Sequence, residues 1–185
     1  EAQSELVQSL NGIVKDVIAS QSVKAEQLIL LPTGDGICIS LLNLNEPFDV
    51  HVKMGLQILA KVEAHNSAVT DTQRRFQLRI GLNENLDNVV VDINGRRNLA
   101  GAGINFAQRV MSFADGGQIL VGQAVYEVLR HREDYMNSFR EYAGRTKHGT
   151  LIRLFQFIEV DSLGLNVEIP SMFRETISKA PALTK

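Results

Sequence analysis

Residues 28–42 restrict the fold more than any other segment. Two apolar runs, 28–31 and 37–42, are separated only by Pro32-Thr33-Gly34-Asp35-Gly36. Each run has the length of a strand, and glycine with aspartate supplies the tight corner that joins antiparallel neighbours. The chain is therefore expected to reverse here, pairing residues 27–31 with 37–42 and placing Asp35 at the tip of a hairpin. Gly-Asp-Gly is ordinary turn chemistry, and by itself it requires no metal.

On both sides of this hairpin the apolar period changes. Leu6, Leu10, Ile13, Val14, Val17 and Ile18 predict an amphipathic opening helix that stops before the polar turn at 20–22. Val50, Met54, Leu56, Leu59 and Val62 predict a second helix, fraying into 67–72. Phe76, Leu78, Ile80 and Leu82 then alternate with Gln77, Arg79 and Gly81, the period of a half-buried strand. Residues 89–93 form a further strand, turned by Asn94-Gly95 so that 96–99 returns antiparallel. A helix from about residue 101 to 113 follows, closed by Asp115-Gly116-Gly117. A strand at 119–121, a short helix at 123–130 and a last strand at 151–158 complete the series. This order predicts an α+β fold with helices packed on a mostly antiparallel sheet. One domain is expected over 1–160. From Asp161 onward Gly, Pro and Ser interrupt the periodicity, which leaves 161–185 as an extension, linker or partner-binding segment.

Composition removes several function classes. The chain has 185 residues, 44% hydrophobic and 22% charged, enough to bury the core of one domain. A net charge of −2 gives no general attraction for nucleic acid or anionic lipid, so any phosphate binding must be local. No apolar stretch has the length of a membrane span, and the start lacks the layout of a secretory signal. The lone Cys38 cannot form an internal disulfide and reads as a small buried hydrophobe, in keeping with a reducing, cytoplasmic location. His51, His65, His131 and His148 have no metal-ligand spacing. Gly101-Ala102-Gly103 lacks the third glycine and the acidic residue of a dinucleotide-binding turn.

Within the helix expected at 101–113, Asn105 and Arg109 stand four positions apart and so face one way. Ile104, Ala107, Met111 and Ala114 read as the buried stripe, with the amide and guanidinium on a neighbouring face where they could grip phosphate oxygens. Most such pairs on amphipathic helices are merely solvated. What distinguishes this one is order: Gly-Asp-Gly after a strand, then Gly-x-Gly-Ile-Asn-x-Ala-x-Arg on a helix, then Gly116-Gly117-Gln118-Ile119-Leu120-Val121. With Tyr126, Leu129 and Thr146-Lys147-His148-Gly149 continuing the series, the sequence from about Leu6 to Val160 resembles the catalytic domain of class III adenylyl and guanylyl cyclases.

The resemblance implies a ferredoxin-like sheet and a head-to-tail homodimer with its sites between subunits, open to control by an attached regulatory domain. It implies a purine nucleoside triphosphate as substrate, held by two Mg²⁺ or Mn²⁺ ions and closed to a 3′,5′-cyclic nucleotide. Asp35 then matches the second of two metal-binding aspartates, Asn105 the ribose-orienting asparagine and Arg109 the arginine that stabilises charge on the α-phosphate. Lys147 lies near the position of a triphosphate-binding lysine, with His148 beside it.

The sequence also departs from the pattern. The family's first metal aspartate lies on a strand preceding the opening helix, and the sequence begins at Glu1 without that strand. At the base-selecting positions stand Leu31, which cannot hydrogen-bond, and Asn98, which can both donate and accept. Preference for adenine or guanine is open on these residues. Two functions follow as expectations: a cyclase, or a catalytically degenerate cyclase-homology module that signals by dimerisation or nucleotide sensing.

Overall fold

The computed structural model describes residues 2–44, 46–146, 149–159 and 161–178. Helix α1 (Ala2–Ser20) turns Leu10, Val14 and Val17 inward. Strands β1 (Leu28–Pro32) and β2 (Ile37–Leu41) pair antiparallel, with Leu31 opposite Cys38 and Pro32 opposite Ile37. Helix α2 (Val50–Ala68) packs Val50, Met54, Ile58 and Val62 on α1, with Ile37, Ile39 and Leu41 of β2 closing the same cluster.

The second half builds a four-stranded sheet in the order β3-β6-β8-β7: β3 (Ile80–Leu82), β6 (Ile119–Gly122), β8 (Leu151–Phe157) and β7 (Phe139–Arg145). Successive side chains of a strand point to opposite faces, and the central strands use both. Ile119, Val121, Phe155 and Phe157 meet α2 and helix α4 (Gln123–Leu129) on one face, where the Tyr126 ring stacks on Phe155 with centroids 3.7 Å apart. Leu120, Ile152 and Leu154 meet helix α3 (Gly103–Met111) and Phe173 of helix α5 (Ser171–Ser178) on the other. Strands β4 (Asn88–Val91) and β5 (Arg97–Ala100) form a separate hairpin. Among the described residues only β3 with β6 is parallel, so the α+β class with mostly antiparallel pairing holds, the described strands divided among three sheets.

Several boundaries differ from the periodic expectation. The alternating segment 76–82 enters the sheet only at Ile80. The Asn66 side chain accepts from Phe76 N at 3.0 Å and donates to Phe76 O at 2.7 Å, which satisfies that backbone outside any ladder. Strand β7 lies outside the periodic expectation, because its edge-strand sequence Phe-Arg-Glu-Tyr-Ala-Gly-Arg carries too few apolar residues to signal itself. Segment 164–170 lies against the sheet ahead of α5 without regular secondary structure. Buried Gln118 and Gln156 each donate a side-chain amide to Glu168 O, at 2.8 and 2.7 Å. Of the expected stripe, Ala114 is buried and Ile104, Ala107 and Met111 are half-buried, while on α3 itself it is Val110 that is wholly buried. Cys38, expected inside, is also half-buried.

A polar cluster is enclosed where α2 begins. Asp49, 3% exposed, accepts from the Tyr135 hydroxyl at 2.9 Å and pairs with the Lys53 ammonium at 2.9 Å through Oδ2. Its Oδ1 and the Nε2 of His51 are buried without a partner among the described residues. Burial works to raise the Asp49 carboxyl pKa, but Lys53 and Tyr135 outweigh it and hold the group below its ordinary 3.8. Burial pushes the His51 imidazole below its ordinary 6.5, against the pull of the Asp49 charge. An unfolded His51 binds a proton below pH 6.5 while the folded one resists, so its contribution is intact above that pH and is lost as pH falls toward the lowered folded value. Asp49 adds the same trend only below 3.8. The urea midpoint is expected to drop between about pH 7 and about pH 5, and to drop less in His51→Phe; an equal drop in both would remove His51 from the account.

Candidate functional site

The β1–β2 turn is closed by Thr33 N donating to Gly36 O at 3.0 Å. Gly34 there takes a φ of +87°, a conformation that glycine alone adopts without strain. This leaves Asp35 exposed at the tip, with no hydrogen-bond or ion-pair partner among the described residues. Leu31, half-buried, sits one position from the end of β1.

Helix α3 carries Asn105 and Arg109 one turn apart, both exposed, and neither side chain is engaged by another described residue. The opposite side of α3 is fixed tightly to β3. A Cβ at Gly81 would overlap the carbonyl oxygen of Ala107 and lie 2.6 Å from Met111 N. Asn98, on β5 opposite Val90, accepts from Leu99 N through Oδ1 at 2.7 Å, and its Nδ2 has no partner among the described residues. Strand β5 runs beside β1, and the Arg97 guanidinium donates to Glu26 O at 2.9 Å, so the hairpins bearing Leu31 and Asn98 are neighbours. No hydrogen bond or ion pair joins Asp35 to Asn105 or Arg109, which stand on different elements. Lys147 and His148 lie outside the described residues.

A pair of divalent ions needs several hard oxygen ligands converging on it. Asp35 supplies one carboxylate, and among the described residues no group of three or more His, Cys, Asp or Glu could hold a metal. The described residues alone therefore do not fit a two-ion magnesium or manganese site.

Two residues that periodicity did not single out fasten the start of α3. Asp87 accepts from Gly103 N at 3.0 Å, and Asn83 Nδ2 donates to Gly103 O at 3.4 Å. The signal was present in another form: Ala102, at the helix cap position, offers no side-chain oxygen, so a cap had to come from elsewhere.

The fold is shared with solved cyclase structures. The guanylyl cyclase Cya2 superposes with a TM-score of 0.66 at 15% identity, over 90% of this chain and 86% of that one. The adenylyl cyclase CyaB from P. aeruginosa gives 0.61 at 12% identity, over 86% and 84%. The adenylate/guanylate cyclase/hydrolase from Silicibacter pomeroyi gives 0.57 at 20% identity, over 81% and 80%. No curated protein matches the chain by sequence. No described helix is long and apolar enough to cross a membrane. The family model of the adenylate and guanylate cyclase catalytic domain matches residues 33–151, more than half of the sequence, and the chain belongs to that family.

Proposed function

We propose that this domain converts a purine nucleoside triphosphate to its 3′,5′-cyclic nucleotide. The ribose 3′-oxygen attacks the α-phosphorus, the bond to the β-phosphate oxygen breaks, pyrophosphate leaves, and the hydroxyl proton passes to solvent. The observation that carries this reading is the unengaged, exposed pair Asn105 and Arg109, one helical turn apart on a helix whose other side is packed. Such a guanidinium can meet the charge that grows on the α-phosphate oxygens, and the amide can orient the ribose. Within the family's head-to-tail arrangement, Asp35 of one subunit would serve with Asn105 and Arg109 of the other, and Lys147 would join the triphosphate. At the base, Leu31 offers only apolar contact, while the Asn98 amide, its Nδ2 donors unengaged and its Oδ1 already accepting from Leu99 N, can meet an acceptor on either purine. Selection between ATP and GTP on these two residues is accordingly weak.

A second reading, a nucleotide-sensing module without turnover, is favoured by the solitary Asp35 carboxylate. The deciding assay is cyclic nucleotide formation from ATP and from GTP by the natural full-length protein in manganese, beside Asp35→Ala. Turnover that falls about a hundredfold or more in Asp35→Ala is the expected result. A protein silent with both nucleotides would overturn the cyclase reading and leave the catalytically degenerate module, acting by dimerisation or nucleotide sensing.

A further inference from the structure

On the cyclase reading of α3, we infer that Asp87 is a positioning residue that sets where Asn105 and Arg109 stand. Helix α3 begins at Gly103 without a capping side chain of its own. The Asp87 carboxylate, from the loop after β3, takes that place: Oδ2 accepts from Gly103 N at 3.0 Å and Oδ1 lies 3.4 Å from the same nitrogen. Its negative charge also meets the positive end of the helix dipole. Asn85 Nδ2 donates to Oδ1, which fixes the carboxylate plane, and Asn83 Nδ2 holds the carbonyl of the same Gly103. The loop thus grips one residue of α3 at both its N–H and its C=O, two positions before Asn105 and six before Arg109.

The two glycines of Gly101-Ala102-Gly103 gain a specific reason from this contact. A Cβ at Gly101 would overlap Asp87 Oδ1, and a Cβ at Gly103 would overlap Oδ2. Neither glycine has a positive φ, so close approach of the carboxylate is what excludes a side chain. The clamp matters for function because reacting groups displaced by a fraction of the near-attack distance lose rate steeply.

The test uses the natural full-length protein with Asp87→Ala, Asp87→Asn and Gly101→Ala. Amide exchange across 103–109 is read alongside kcat and KM for cyclic nucleotide formation and Kd for the triphosphate. Asp87→Ala should speed exchange in the first turn of α3 about fivefold. It should lower kcat about tenfold while KM stays within about twofold. Asp87→Asn keeps an acceptor oxygen and should recover most of both, whereas Gly101→Ala, which retains Asp87 but fills its place, should reproduce the loss. Unchanged exchange in Asp87→Ala, or unchanged kcat in an active protein, overturns the inference. If the wild-type protein makes no cyclic nucleotide, it is the cyclase reading that fails. Asp87 is then decided by amide exchange across 103–109, with faster exchange in Asp87→Ala that Asp87→Asn reverses supporting the positioning role and unchanged exchange overturning it.

Discussion

Arg109→Ala is expected to slow cyclic nucleotide formation about a hundredfold while weakening triphosphate binding only about threefold. The guanidinium stands exposed on α3 with no partner among the described residues, so its removal leaves no buried charge and no broken pair. The folded state should be almost untouched, with Tm shifted by about 1 °C or less. A planar donor aimed at the α-phosphate gains most when the phosphorus becomes five-coordinate and its oxygens gather charge. The loss therefore belongs in kcat. Arg109→Lys keeps the charge but loses the paired donors and should fall between the two. Equal losses in rate and affinity would mean that Arg109 acts on the ground state alone.

Gly81→Ala is expected to destabilise the fold by about 3 kcal/mol, a drop in Tm of about 6–12 °C. The added Cβ would overlap the Ala107 carbonyl oxygen and lie 2.6 Å from both the backbone nitrogen and the Cβ of Met111. Backbone cannot rotate away as a side chain can, so α3 must lift from β3 or the two must part. Either movement carries Asn105 and Arg109 with it, and cyclase activity should fall further than unfolding accounts for. Gly12→Ala is the control of opposite sign. It lies exposed in α1 with open space around it, and alanine there should stabilise by about 0.5–1 kcal/mol. Thermal and urea unfolding of both variants, read together, check the pair; a Gly81→Ala protein as stable as wild type would show that α3 does not rest on β3 as described.

The elements legible in the sequence were those whose signal is local. Helices α1 and α2 and the β1–β2 and β4–β5 hairpins stand close to where periodicity and turn residues placed them. The illegible parts depend on partners far along the chain. Strand β7 is an edge strand recognisable mainly by its antiparallel register with β8, and segment 164–170 is held by amides of Gln118 and Gln156. The buried stripe of α3 is legible only in part, with Ala114 just beyond it buried as expected and Val110 missed. Val110 is covered completely only because β6 and β8 bring Leu120 and Leu154 beneath it.

The candidate site divides along the same line. That Asn105 and Arg109 share a face of a helix, and that Asp35 crowns a tight turn, follows from spacing and turn chemistry within a few residues, and the chain's own geometry enforces both. That Leu31 and Asn98 come from neighbouring hairpins, that α3 rests on Gly81 and that Asp87 caps it are outcomes of tertiary structure. Many carboxylates and amides along the sequence are chemically equivalent candidates for such contacts. Only the packing of the sheet against α3 decides which one arrives.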